Sequence, residues 1–109
     1  MKLNVQERLT LVNLLPEKGN FTTMSIVETL KDILYPSEAE VKKFELKQTE
    51  RILTWNEEGS KGVEIEISEM QSKMLSEKLE ELSGNDDLDI NQYQMLKRFR
   101  NEKAETVKT

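Results

Sequence analysis

Apolar residues recur every three or four positions over most of the chain, and this spacing predicts helices. Four of the five predicted helices begin at a capping-box signature, in which a polar cap residue is followed three positions later by Glu or Gln. The signatures are Asn4 with Glu7, Ser37 with Glu40, Ser68 with Gln71, and Asp89 with Gln92. The predicted helices cover about residues 4–15, 22–35, 37–43, 68–84 and 89–100.

Helix ends are predicted from residues that disfavour helical backbone. Thr22 or Thr23 is expected to cap the second helix, which ends at Tyr35 because a residue before proline avoids the helical region. Gly84 is expected to end the fourth helix in a left-handed conformation. The apolar positions expected to face inward on the third and fourth helices are Ala39, Val41, Met70, Met74, Leu75, Leu79 and Leu82.

Between residues 44 and 68 the period changes to two, which predicts strands. Apolar and polar residues alternate over 44–47, 53–55 and 63–68. A tight link at 48–50 and a longer polar turn at 56–62 would join these strands, with Gly59 and Gly62 available for positive φ. The prediction is a single α+β domain over 1–100. It has N-terminal helices, a three-stranded antiparallel meander and two C-terminal helices packed on one face of the sheet, followed by a frayed tail at 101–109.

Composition excludes several chemistries. The 109 residues contain no Cys and no His, so thiol catalysis, thiolate metal sites and histidine bases are absent. Neither a glycine-rich phosphate loop nor a convincing carboxylate dyad is present. We therefore expect a non-enzyme with no metal and no cofactor. The chain shows no secretory signal and no apolar run of about 20 residues, so a cytoplasmic protein with no membrane partner is expected.

Charge is distributed unevenly along the chain. Residues 1–56 carry 8 basic and 8 acidic groups, residues 57–89 carry 3 and 11, and residues 90–109 carry 5 and 2. This pattern is consistent with intramolecular complementarity, head-to-tail self-association or an acidic surface for a basic partner protein. The candidate protein-binding residues are Glu57, Glu58, Glu64, Glu66, Glu80 and Glu81. Trp55 and the pair Met70 and Met74 belong either to the core or to such an interface.

A nucleic-acid-binding alternative follows from element order, because three helices followed by a hairpin is the order of a winged helix-turn-helix. The residues that would carry it are Lys42, Lys43, Lys97, Arg98 and Arg100. However, segment 37–43 has no net charge, and the predicted wing carries Glu57 and Glu58. Since phosphate neutralisation supplies most non-specific affinity, these charges weigh against nucleic acid as the partner.

Several segments resemble small uncharacterised proteins of bacteriophages and prophages of Gram-positive bacteria. They are 3–9, 14–20, 54–56, 64–67 and 96–99. The resemblance extends to about residue 100 and includes no catalytic motif, so it implies a biological setting and no specific activity. The leading hypothesis is a phage-type module that binds another protein, for example a modulator of a host protein. A virion or assembly component that acts as an oligomer is a further alternative.

Overall fold

The structure is a computed structural model that describes the backbone of residues 1–108 and the side chains of residues 1–101. It combines helices with small antiparallel sheets, which confirms the mixed α and β class. The elements in chain order are β1 (Lys2–Leu3), α1 (Val5–Val12), α2 (Phe21–Leu34), α3 (Glu38–Lys43), β2 (Lys47–Thr49), β3 (Ile52–Thr54), a 3₁₀ helix (Glu57–Ser60), β4 (Val63–Glu64), α4 (Glu69–Gly84) and α5 (Ile90–Lys108). Beyond Asn101, the predicted frayed tail lies outside the described side chains and stays a prediction.

All four capping boxes form. At each, the cap side chain accepts a hydrogen bond from a backbone N–H three residues later, and the Glu or Gln at that position accepts one from the cap N–H. These bonds satisfy amides that the first helical turn leaves without partners. Helix α2 differs from the prediction, because Asn20 is its cap and accepts from the Thr23 N–H at 2.8 Å. Its C-terminal end is as predicted, with Tyr35 extended before Pro36.

The predicted three-stranded meander is wrong, because the strands form two separate antiparallel pairs. Strand β2 pairs with β3, whereas β4 pairs with the N-terminal strand β1, which places Leu3 opposite Val63. The Ile65 N–H extends this second pair by donating to the Met1 carbonyl at 2.9 Å. The sequence pattern missed β1 because two residues are too few to show a period.

The hairpin is displaced along the chain relative to the prediction. Phe44 is a buried C-cap of α3 and not a strand residue, and the turn lies at Glu50 and Arg51. The backbone of Glu50 has a φ of 54°, a conformation that residues other than Gly and Asn seldom adopt. Asn56 anchors the base of the hairpin, since its side-chain amide donates to the Lys43 carbonyl at 2.9 Å.

The prediction that glycines would adopt a positive φ was also wrong. Among the described residues no glycine has a positive φ. Gly84 is the last residue of α4, and the left-handed position after this helix belongs to Asp86, with a φ of 59°. Gly59 is required for space instead, because a Cβ there would lie 2.8 Å from Cδ1 of Trp55.

The core lies between helices and not against a sheet face. Helix α5 packs on α4 and on α1, and α1 packs on α2. The buried apolar side chains that cluster in this core are Leu3, Leu11, Val12, Leu14, Leu15, Val27, Leu30, Leu34, Leu75, Leu79, Met95, Leu96 and Phe99. Ala39, Val41 and Met70 were predicted to face inward but are exposed. Helix α5 therefore packs on α1 and on α4, whereas the prediction placed the two C-terminal helices on a sheet.

Candidate protein-binding surfaces

Arg8 is the one buried charged side chain among residues 1–101, with 1% of its surface exposed. Its Nε donates to the Leu34 carbonyl at 2.8 Å, and its Nη2 donates to the Tyr35 carbonyl at 3.2 Å. Its Nη1 and Nη2 also donate to the two carboxylate oxygens of Glu40, at 2.7 and 3.2 Å. One guanidinium therefore joins α1, the C-terminal end of α2 and the start of α3.

The Arg8–Glu40 pair is a structural element and offers no accessible site. Hydrogen bonds from Arg8 lower the pKa of Glu40 to about 2. Partial burial raises this pKa, and the hydrogen bond from the Ser37 N–H lowers it further. The pair was not predicted from the sequence, although a signal was present. Arg8 lies on the same helical stripe as Val5 and Val12, so a charged residue faces the core side of α1.

The six acidic candidates are exposed, but four of them already have a cationic partner in the same chain. Glu58 pairs with Lys61, Glu64 with the N-terminal amine, Glu80 with Arg100, and Glu81 with Lys78, at 2.5 to 3.8 Å. Hydrogen bonds from the Lys61 ammonium and from the N-terminal amine lower the pKa of Glu58 and of Glu64, respectively. In the part of the chain with described side chains, Glu57 and Glu66 form no ion pair.

Two of the five basic candidates are engaged by carboxylates. Arg100 binds Glu80 through Nε and Nη2, which raises the pKa of this guanidinium, and Arg98 donates to Glu7 at 2.6 Å. Lys97 lies over the Tyr93 ring, with Nζ 6.0 Å from the ring centroid. Lys43 lies over the Phe44 ring at 5.9 Å, and Lys42 is exposed on α3. Part of the charge asymmetry is therefore satisfied within the molecule.

The arrangement of strands also differs from that of a winged helix. Within the described part of the chain, the hairpin β2–β3 has no third strand beside it, because β1 and β4 pair with each other elsewhere. Helix α3 has six residues and begins with Glu38 and Glu40 in its first turn. A recognition helix usually presents its N-terminal residues to the bases, and here these positions are acidic.

An apolar groove lies between α4 and the segment that connects α1 to α2. Its volume is about 260 Å³, and its lining consists of Leu14, Leu15, Pro16, Thr23, Met74, Leu75, Glu77, Lys78 and Glu81. We call this the Met74 groove. The floor is apolar, and the three charged residues belong to one flank of α4. Because ligand pockets usually measure about 300–1,000 Å³, the groove suits one or two bulky side chains better than a cofactor.

The structure shows where Trp55, Met70 and Met74 lie, which the sequence left open between core and interface. Met74 is partly buried and lines the groove, whereas Met70, one turn earlier on α4, is 64% exposed. Methionine is flexible and polarisable, so it adapts to differently shaped partners. Trp55 is half-buried against Gly59, and its indole N–H donates to the Ser60 hydroxyl at 3.2 Å. Trp55 therefore has an intramolecular packing role.

A second exposed surface lies along α5, on the side away from the core. Ile90, Tyr93 and Lys97 follow each other at three- and four-residue spacing, and Ile90 is 66% and Tyr93 46% exposed. We call this the α5 stripe. Met95, Leu96 and Phe99 cover the opposite side of the same helix and are buried. The helix therefore presents apolar side chains in two directions.

Other site types find no support within the described residues. No three Asp or Glu side chains come together in a way that would hold a metal ion. Each buried side-chain polar atom has a hydrogen-bond partner. None of the helices has the length and apolar character needed to cross a membrane. No known protein family, curated protein or solved structure matches the chain.

Proposed function

We propose that this protein is a non-enzymatic, phage-type protein-binding module whose contact surface is the Met74 groove. The observation that carries the proposal is an open, apolar cleft with methionine at its edge and carboxylates on its rim. Such a combination is typical of surfaces that receive a bulky side chain from another protein. The phage setting rests on the resemblance of sequence segments.

The groove defines the chemistry of its partner. Glu77 and Glu81 lie one helical turn apart on the rim, and each has a lysine of α4 at 3.8–3.9 Å as its neighbour. Exposed pairs of this kind contribute little free energy, so an incoming cation can replace the lysine at small cost. A helix that carries an apolar anchor and a Lys or Arg one turn away fits both the floor and the rim.

The proposed contact surface differs from the acidic surface that was expected from the sequence. The acidic side chains of the 3₁₀ helix and β4 were expected to contribute, but cations of the chain hold Glu58 and Glu64 at 3.0 and 2.9 Å, closer than the pairs at 3.8–3.9 Å on the groove rim. Nucleic-acid binding is less well supported, because Arg98 and Arg100 already bind carboxylates. The oligomer alternative is favoured by the exposed apolar residues of the α5 stripe.

Site-specific photo-cross-linking in the producing cell tests the proposal. A benzophenone amino acid at position 78, on the groove rim, should capture a protein, whereas the same group at position 50, on the exposed hairpin turn, should capture none. The mass of the product identifies the partner. Equal capture at both positions, or capture at neither, would contradict the assignment of the groove.

Blocking variants provide the control for this experiment. Met74→Lys places a charge in the groove, and Thr23→Arg lays a long side chain across it from α2. Both should abolish cross-linking at position 78. Ile52→Lys makes a comparable change on β3, outside the groove, and should leave cross-linking intact. Circular dichroism shows whether each variant retains its helices.

A further inference from the structure

The α5 stripe carries the chemistry that the Met74 groove requires, and we infer that the groove accepts the α5 stripe of a second copy of this chain. The inference rests on the proposal that the groove binds protein, and it names the occupant. The stripe combines an aliphatic residue, an aromatic residue and a lysine on one exposed helix face. Neither the stripe nor the groove is covered by another element of the described chain.

The two helix surfaces have the same overall span of seven residue steps, and their middle residues are offset by one position, about 1.5 Å along the helix. On α4, Met70, Met74 and Glu77 follow one another at four and three residues, and Glu81 is one turn further. On α5 the stripe advances by three and then by four residues. Residues at these separations stack along one face of a helix. Two parallel helices can therefore bring three pairs of residues together at once, and each pair has matching chemistry.

The first two pairs are apolar. Ile90 of one copy lies opposite Met70 of the other, and both are about two-thirds exposed in the single chain. Tyr93 lies opposite Met74 and enters the groove, where Leu15 and Pro16 form part of the lining. Tyrosine is common among the residues that dominate interface energetics, because it buries a large apolar area while its hydroxyl stays near the rim.

The third pair is ionic. Lys97 forms no ion pair with the side chains described here, and its ammonium lies beside the Tyr93 ring. Glu77 has Lys73 as its neighbour at 3.9 Å, and both of these side chains are highly exposed. Lys97 of the second copy would therefore meet a carboxylate held by a weak contact. The acidic middle and the basic end of the chain attract each other in this arrangement, and this attraction favours association of copies.

Sedimentation velocity of the full chain over a range of concentrations tests the inference. The mass should rise above the 12.7 kDa of a single chain as concentration increases. Tyr93→Ala should weaken association at least about tenfold, since it removes the anchor. Tyr35→Ala is the matched control, because Tyr35 is 49% exposed on another part of the surface and should leave association unchanged.

Exchanging the charges of Glu77 and Lys97 tests whether these two residues face each other across the proposed contact. Glu77→Lys and Lys97→Glu should each weaken association, by about fivefold per contact, and the two changes together should restore it. A mass of 12.7 kDa at the highest concentration overturns the inference, as does association that Tyr93→Ala leaves unchanged. The proposed function is separable from these results. A chain that stays single but cross-links to a different protein at position 78 retains that function and loses the second-copy occupant.

Discussion

Replacing Glu40 by glutamine should destabilise the protein at neutral pH and leave its stability nearly unchanged near pH 2. The side chain keeps its shape and its acceptor oxygen, but it loses the charge that pairs with the buried guanidinium of Arg8. Arg8 also donates to the carbonyls of Leu34 and Tyr35, so it cannot leave the site without breaking those bonds. A buried cation without its counter-ion is costly.

The magnitude follows from the pKa of Glu40, which the fold lowers from 4.5 to about 2. A shift of this size corresponds to an upper bound of about 3.4 kcal/mol. About a quarter of the side chain is exposed, and water screens part of the interaction, so we expect a loss of about 2–3 kcal/mol in the free energy of unfolding. Because the folded-state pKa is the lower one, this contribution is complete above pH 4.5 and is lost as the pH falls towards 2.

Urea unfolding at pH 7 and near pH 2, followed by circular dichroism, measures this difference. Glu38→Gln is the matched control, because Glu38 is an exposed carboxylate on the same helix without an ion pair among the described side chains. It should change stability by at most a few tenths of a kcal/mol. A loss of stability for Glu40→Gln no larger than that for Glu38→Gln at pH 7, or the same loss at both pH values, would contradict a role for the Glu40 charge.

Three further measurements test other parts of the structure. Gly84→Ala should raise the free energy of unfolding by about 0.5–1 kcal/mol, because this helical glycine has open space where a Cβ would lie. In the same unfolding assay, Gly59→Ala should lower the free energy of unfolding by about 1–3 kcal/mol, because the added Cβ would overlap with the Trp55 ring. Glu50→Asn should stabilise the chain by up to about 1 kcal/mol in thermal unfolding, since asparagine tolerates the positive φ of the hairpin turn. The protein should not be retained on immobilised duplex DNA or RNA at about 50 mM salt, and Arg100→Ala should not alter this result, because its guanidinium is bound to a carboxylate.

Ion pairs within the folded chain engage some of the basic residues near its C-terminal end and leave others exposed. From the sequence, the acidic middle and the basic end of the chain are consistent with internal pairing, self-association or a basic partner protein, and binding to another protein is the leading hypothesis. The structure supports the first for Arg100, which binds Glu80 of α4, whereas Arg98 binds Glu7 of α1, outside the acidic middle. It leaves Lys97 exposed beside an aromatic ring, where it remains available to a partner. Internal pairing therefore leaves Lys97 unused, and the proposed association relies on it.

Local chemistry was predictable from the sequence by itself. Capping boxes at Asn4, Ser37, Ser68 and Asp89 depend on residues three positions apart, and they form because a helix start needs no distant partner. The end of α2 before Pro36 has a similarly local cause, since the proline ring restricts the preceding residue. The absence of Cys and His likewise excludes thiol and imidazole chemistry in any fold.

Tertiary structure decided the strand pairing, the buried ion pair and the surfaces available for binding. Strand β4 pairs with β1 across some 60 residues, and a short alternating pattern carries no information about its partner. Arg8 and Glu40 meet because helix packing brings their elements together. The apolar positions Met70, Ile90 and Tyr93 remain exposed for the same reason. Periodicity shows that a helix has an apolar side, but the packing of neighbouring helices determines which of its residues are buried and which remain free to bind.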